Sequence, residues 1–175
     1  MNKIEIINKI INSKFIHGVD FLEERRVDFH MKISFSEFNR EDKSIYKFDI
    51  EETKDFFPFF SNETHLKKIS DYVILFERAD KLYVIISELK KGFDNSNASK
   101  QLEATEIFMK FIVSNAKRLG FDLTEDDCVF YKIRFSETNI KRTKKRTTRC
   151  KDPLHGLPNG TFEYKFDCLH FIHFK

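Results

Sequence analysis

The stretch from Asp71 to Lys90 reads DYVILFERADKLYVIISELK, two runs of β-branched, aromatic and leucine residues separated by Arg78-Ala79-Asp80. Val, Ile, Tyr and Phe at this density favour a pleated strand, and so short a break between two such runs predicts a tight hairpin. With Ala79 and Asp80 as its central residues, Arg78 pairs with Lys81 and, counting outward, Asp71 faces Glu88. Side chains alternate along a strand, so Asp71, Val73, Leu75, Val84, Ile86, Glu88 and Lys90 share one face. That face is apolar except at its open end, where two acids and a lysine meet.

Two like charges directly opposite one another repel, and the arrangement calls for a neutralising partner. A divalent cation between the carboxylates, with the lysine beside it, supplies one. Hard oxygen ligands favour Mg²⁺ or Mn²⁺ over zinc. The chemistry such a group suits is hydrolysis of a phosphodiester, in which a metal activates water and Lys90 orients the nucleophile or stabilises developing charge. The same residues also suit a bland role, because Glu and Lys at i and i+2 on a strand are common.

Upstream of the hairpin, Ile4, Ile7, Ile10 and Ile11 recur at helical spacing and predict an amphipathic helix over Lys3 to Phe15. Val27, Phe29, Met31, Ile33 and Phe35 then alternate with polar residues as in a half-buried strand, and Tyr46, Phe48 and Ile50 form a second alternating piece, its expected hairpin partner. The segment around Phe56-Phe57-Pro58-Phe59-Phe60 has no period, and Pro58 argues against a regular element. It reads as core or as an oligomer contact. Downstream, a helix is predicted from about Asn97 to Leu119 with Gly120 just past its end, then a strand from Cys128 to Phe135, a basic loop and turn region over residues 138–160, and a closing strand from Thr161 to Phe174. The expectation is a single domain over residues 1–175 of mixed α/β (α+β) class, with one central mixed β-sheet flanked by helices.

Composition narrows the function. Charged residues make up 34% of the 175, and no run approaches the roughly 18 apolar residues of a membrane span, so no membrane is expected as partner. Three cysteines and an acid-containing start with no signal-peptide pattern point to a reducing, cytoplasmic setting. The net charge of +3 hides an asymmetry. Lys141, Arg142, Lys144, Lys145, Arg146, Arg149 and Lys151 form an acid-free block; removing these seven from 31 Lys and Arg leaves 24 against 28 Asp and Glu. Nucleic-acid phosphate is the commonest partner of such a block, a solvated loop the alternative.

Asp71, a hairpin, Glu88-Leu89-Lys90 and a helix entered with Gln101-Leu102 together resemble the PD-(D/E)XK nuclease superfamily, the restriction-endonuclease-like enzymes. The resemblance covers about Met1 to Phe135 and implies an αβββαβ core, here with an extra C-terminal strand. It implies that Asp71 and Glu88 bind Mg²⁺ or Mn²⁺ and that Lys90 is the catalytic lysine of an endonuclease acting on DNA or RNA. Ser70 stands where the family name has Pro, and Thr105, four residues after Gln101, stands where one subgroup has Tyr. Members often add an acid or histidine from the first helix or an early strand; Glu24, His30, Glu51 and Glu52 are candidates, among which the sequence does not choose. Gln101 is a candidate for contacting substrate or the site. Small nucleases that cut duplexes commonly pair two sites by two-fold symmetry, so a homodimer is expected. The alternatives are a catalytically inactive nucleic-acid-binding module and an interaction or inhibitor protein with this fold.

A second group, Cys150, His155, Cys168, His170 and His173, has zinc-compatible residue types but no established finger spacing. Cys168 reads as a small core residue, and the histidines as strand-surface residues, with His170 and His173 on opposite faces.

Overall fold

The computed structural model describes residues 1–36, 43–48, 50, 68–92, 96–137, 154–157, 160–164, 167–170 and 173–174. The basic block from Lys141 to Lys151, with Cys150 in it, and Glu51, Glu52 and Phe56 to Phe60 lie outside the described residues. The elements in order are α1 (Lys3–Ile10), β1 (Phe21–Arg26), β2 (Phe29–Ser36), β3 (Lys43–Lys47), β4 (Tyr72–Arg78), β5 (Lys81–Lys90), α2 (Ser96–Arg118), β6 (Cys128–Ser136), β7 (Leu154–Gly156), β8 (Thr161–Tyr164) and β9 (Cys168–His170). The class is mixed α/β. The strands form two mixed sheets rather than the one expected: β1-β2-β9, and a six-stranded sheet in the order β3-β4-β5-β6-β8-β7.

The β4–β5 hairpin has the register read from the sequence, from Arg78↔Lys81 out to Tyr72↔Ser87. Ala79 (φ 48) and Asp80 (φ 59) both lie in the left-handed region, the two-residue turn whose twist matches the flanking strands. Two L residues there cost on the order of 1 kcal/mol each, and the Lys3 ammonium, 2.6 Å from the Asp80 carboxylate, ties the turn to α1.

Because strands alternate, each face of the central hairpin meets a different layer. Val73, Leu75, Val84 and Ile86 pack against Ile4, Ile7, Leu102, Met109 and Val113 of the two helices. Tyr72, Ile74, Phe76 and Ile85 pack against Leu22, Phe29, Met31 and Ile33 of the smaller sheet. Most of these side chains are fully excluded from water, each contributing about 1.5–3 kcal/mol.

α1 opens on a capping box between Asn2 and Glu5 but stops at Ile10, short of Phe15. Asn12 accepts a hydrogen bond from the Lys14 N–H and starts a separate 3₁₀ turn over Ser13–Phe15, an instance of a polar side chain competing with helix propagation. α2 stops at Arg118 and is capped at Gly120 (φ 84), where the Gly120 and Phe121 N–H groups bond back to the Lys117 and Ala116 carbonyls.

Other strands depart from expectation. Val27 is in the turn between β1 and β2, fully exposed, so the alternation is half-buried only from Phe29 on. β3 pairs antiparallel with β4, not with β2. The closing strand is two: β8 runs parallel to β6 in the large sheet, while β9 runs parallel to β2 in the small one. Among the described residues no helix is long and apolar enough to cross a membrane.

Candidate active site

Asp71 precedes β4 by one residue and Glu88 lies near the end of β5, so the hairpin register brings the two acids opposite each other on the helix-covered face. Both are buried, at 6% and 0% exposure. The pair closes the open end of the hairpin through side chains: the Asp71 backbone N–H donates to Glu88 Oε2 at 3.1 Å, and the Leu89 N–H donates to Asp71 Oδ2 at 2.8 Å. Lys90 Nζ is ion-paired with Glu88 Oε1 at 2.5 Å.

Burial sets the protonation of this pair. Loss of hydration holds the Asp71 carboxyl well above the usual carboxylate range, the neighbouring Glu88 charge pushes it the same way, and the Leu89 N–H opposes. Burial also raises Glu88, against the pull of Lys90. Carboxyls kept out of water next to one another favour the protonated form, and such perturbed pairs cluster at functional sites.

Helix α2 holds the other side. Gln101 receives a hydrogen bond from Lys90 Nζ at 3.4 Å and donates to the Ile69 carbonyl at 3.2 Å. One turn on, Thr105 Oγ1 accepts from the Ser70 N–H at 2.7 Å and donates to the Gln101 carbonyl at 2.8 Å. The two residues just ahead of Asp71 are thereby fastened to the helix that also steadies Lys90. Gln101 was legible as a candidate; Thr105 was visible only as a departure from a pattern, and its role depends on a backbone group no motif describes.

Of the additional candidates among the described residues, Glu24 lies within electrostatic reach of the two acids and His30 does not bond to them. The Tyr72 hydroxyl donates to the Glu23 carbonyl at 2.7 Å and accepts from the Glu23 N–H at 3.2 Å, docking β1 beside the start of β4. Glu24, paired with Arg26 at 2.6 Å, then adds its charge to those acting on Asp71 and Glu88. His30 is exposed and bonds Glu23 at 2.9 Å, one residue out of phase with Glu24.

The sheet extends the site in a direction the sequence did not reveal. β6 runs parallel to β5 with Glu88 opposite Arg134 and Lys90 opposite Ser136, and β8 places Glu163 opposite Arg134. Partners across a sheet share a face, so one row reads Asp71, Glu88, Arg134, Glu163. Arg134 and Glu163, at 3% and 5% exposure, are joined at 3.0 Å. The signal was the polar alternation Lys132, Arg134, Ser136 in a strand whose other side chains are apolar.

His155, exposed on β7, is Glu163's next neighbour in the same row. His170 and His173 are not on opposite faces of one strand: β9 ends at His170, and the two rings come within 5.3 Å. Tyr164 engages this corner, its hydroxyl 2.8 Å from His173 Nδ1 and accepting from the His170 N–H at 3.1 Å. Among the described residues no three His, Cys, Asp or Glu side chains are grouped to hold a metal ion. The carboxylates that converge are therefore Asp71 and Glu88, a set that suits Mg²⁺, which takes one or two carboxylates and completes its shell with water. A concave surface lined by Lys3, Glu77, Asp80 and Phe121 lies at the turn end of the hairpin, away from the acids. No family model, no curated protein and no solved structure matches this chain.

Proposed function

We propose that the protein is a metal-dependent nuclease hydrolysing phosphodiester bonds of nucleic acid. The observation that carries this reading is the buried Asp71 and Glu88 facing each other at the strand ends with Lys90 2.5 Å from Glu88. The order α1, β3, β4, β5, α2, β6, with β6 parallel to β5, is in keeping with the αβββαβ core of the PD-(D/E)XK superfamily, β1 and β2 being inserted after α1.

Asp71 and Glu88 hold the cation. Mg²⁺ or Mn²⁺, when bound, polarises a phosphoryl oxygen and lowers the pKa of a bound water. Lys90, steadied by Gln101 and partly exposed, orients a water or stabilises charge on the phosphate. Thr105 and Gln101 keep Asp71 and Lys90 in place, so the geometry is set before substrate arrives. The basic block from Lys141 to Lys151 grips the phosphate backbone, and two copies of the chain pair their sites as a homodimer, which light scattering tests as a mass twice 21.0 kDa.

A second reading, a nucleic-acid-binding module without turnover, draws on the engagement of Glu88 Oε1 with Lys90 and of Asp71 Oδ2 with the Leu89 N–H, which leaves the acids already occupied. Incubating the protein with labelled single- and double-stranded DNA and RNA, with Mg²⁺, with Mn²⁺ and with chelator, separates the two. Metal-dependent cleavage lost in Glu88→Ala supports the nuclease; binding without cleavage under every condition rejects it.

A further inference from the structure

The row beside the acids contains buried polar atoms with no hydrogen-bond partner among the described residues. Among the described residues Arg134 Nε and Ser136 Oγ have no hydrogen-bond partner, although Arg134 is 3% and Ser136 0% exposed. Each such orphan costs about 1–3 kcal/mol, and natural structures hold few of them without a reason. These two lie on one strand, two residues apart and therefore on one face, next to Glu88 and Lys90. Glu163 takes one terminal nitrogen of Arg134 and fixes the guanidinium, while Nε has no acceptor among the described residues.

We propose that Arg134 and Ser136, with Lys90, form a phosphate-binding subsite adjoining the two carboxylates. Nε–H is a donor only, the Lys90 ammonium is a donor only, and the Ser136 hydroxyl can donate; the ligand that answers all three is an oxyanion. Two neighbouring acids disfavour an anion unless a cation lies between, which ties occupancy of the subsite to divalent metal. Lys90, with 27% of its side chain exposed, is the side on which this group reaches solvent. That the phosphate belongs to nucleic acid rests on the nuclease reading; that an oxyanion binds here does not.

The experiment uses the full chain with Arg134→Lys, which keeps the charge partner of Glu163 but removes Nε, and Ser136→Ala, which removes only a buried hydroxyl. Ser136→Ala is expected to melt at or above the wild-type temperature when ligand-free, so its fold is not in question. Inorganic phosphate in the presence of Mg²⁺ is expected to raise the melting temperature of the wild type and to do so much less for either variant. Oligonucleotide binding, measured with Ca²⁺ replacing Mg²⁺ to suppress turnover, is expected to weaken about tenfold in each, the size of one charge-assisted hydrogen bond. A phosphate shift absent from the wild type, or equal in the wild type and both variants, overturns the subsite even if Asp71-dependent cleavage is seen. A phosphate shift that depends on Ser136 in a protein that cleaves nothing upholds the subsite and sinks the nuclease reading instead.

Discussion

Two pairs of buried ionisable side chains share one row of the large sheet, and only one pair is matched. Arg134 and Glu163 are a cation and an anion joined at 3.0 Å. Asp71 and Glu88 are two acids, with Lys90 beside one of them. The matched pair offsets its own desolvation, so breaking it strands a charge in the interior. The mismatched pair holds both carboxyls above their ordinary range, an arrangement that costs stability and is characteristic of sites that bind or react. One sheet face thus carries a structural ion pair and, one strand over, two acids that share a single lysine.

The largest expected effect breaks the mismatched pair chemically. Asp71→Ala, Glu88→Ala and Lys90→Ala should each lower Mg²⁺-dependent cleavage on the order of 10³-fold or more, with the triple variant little worse than the singles because the three act as a unit. Wild-type rates in all three would end the assignment.

Stability should move in opposite directions at the two pairs. Glu163→Gln leaves Arg134 buried without its counter-charge and is expected to cost about 3–5 kcal/mol in urea unfolding. Asp71→Asn removes a charge that burial disfavours, and the metal-free variant is expected to gain about 1 kcal/mol at neutral pH. Equal destabilisation by both would erase the contrast.

The pH dependence sharpens it. A carboxyl whose folded-state pKa is raised favours the folded protein while protonated, so its contribution is present below the ordinary 3.8 of Asp and 4.5 of Glu and is lost as pH rises through the raised values. In metal-free protein, the melting temperature of Asp71→Asn relative to wild type should therefore climb as pH rises from the acid side, and added Mg²⁺ should shrink the gap by stabilising the wild type alone. A gap independent of pH and metal would mean that Asp71 is not held in its raised state.

Thr105→Val tests how the site is held. It leaves the buried Ser70 N–H without its acceptor and should cost about 1–3 kcal/mol, with kcat falling more than KM changes. Thr105→Ser should restore both, a rescue that loss of packing alone does not predict. The smallest effect belongs to the basic block: neutralising Lys144, Lys145, Arg146 and Arg149 should flatten the log-log salt dependence of nucleic-acid binding by about 0.9 per lost contact on duplex DNA or about 0.7 on single strands. Base preference should hold, since phosphate contacts position more than they specify.

The hairpin was fully legible because its register is a local matter. Two residues of turn and a two-residue side-chain period are enough to set Asp71 against Glu88, and alternation places Lys90 on the same face. The span of α2 was equally legible, from its apolar stripe and the glycine at its end. The partner of β3 was not, since alternation shows that a strand is half-buried without showing which edge it joins. Nor was the division of the closing segment, where Tyr164 and Leu169 belong to one core but β8 and β9 to different sheets.

Within the candidate site the same division holds. The sequence by itself determined the two acids, the lysine and Gln101, because they lie on one hairpin and on the helix that follows it. Tertiary structure alone decided that Arg134, Ser136 and Glu163 line up beside them, that Glu24 approaches while His30 does not, and that Thr105 grips Ser70. Those placements depend on parallel pairing across a helical crossover and on one tyrosine hydroxyl docking β1, contacts between residues far apart in the chain whose register is chosen by packing and not by anything adjacent to them in sequence.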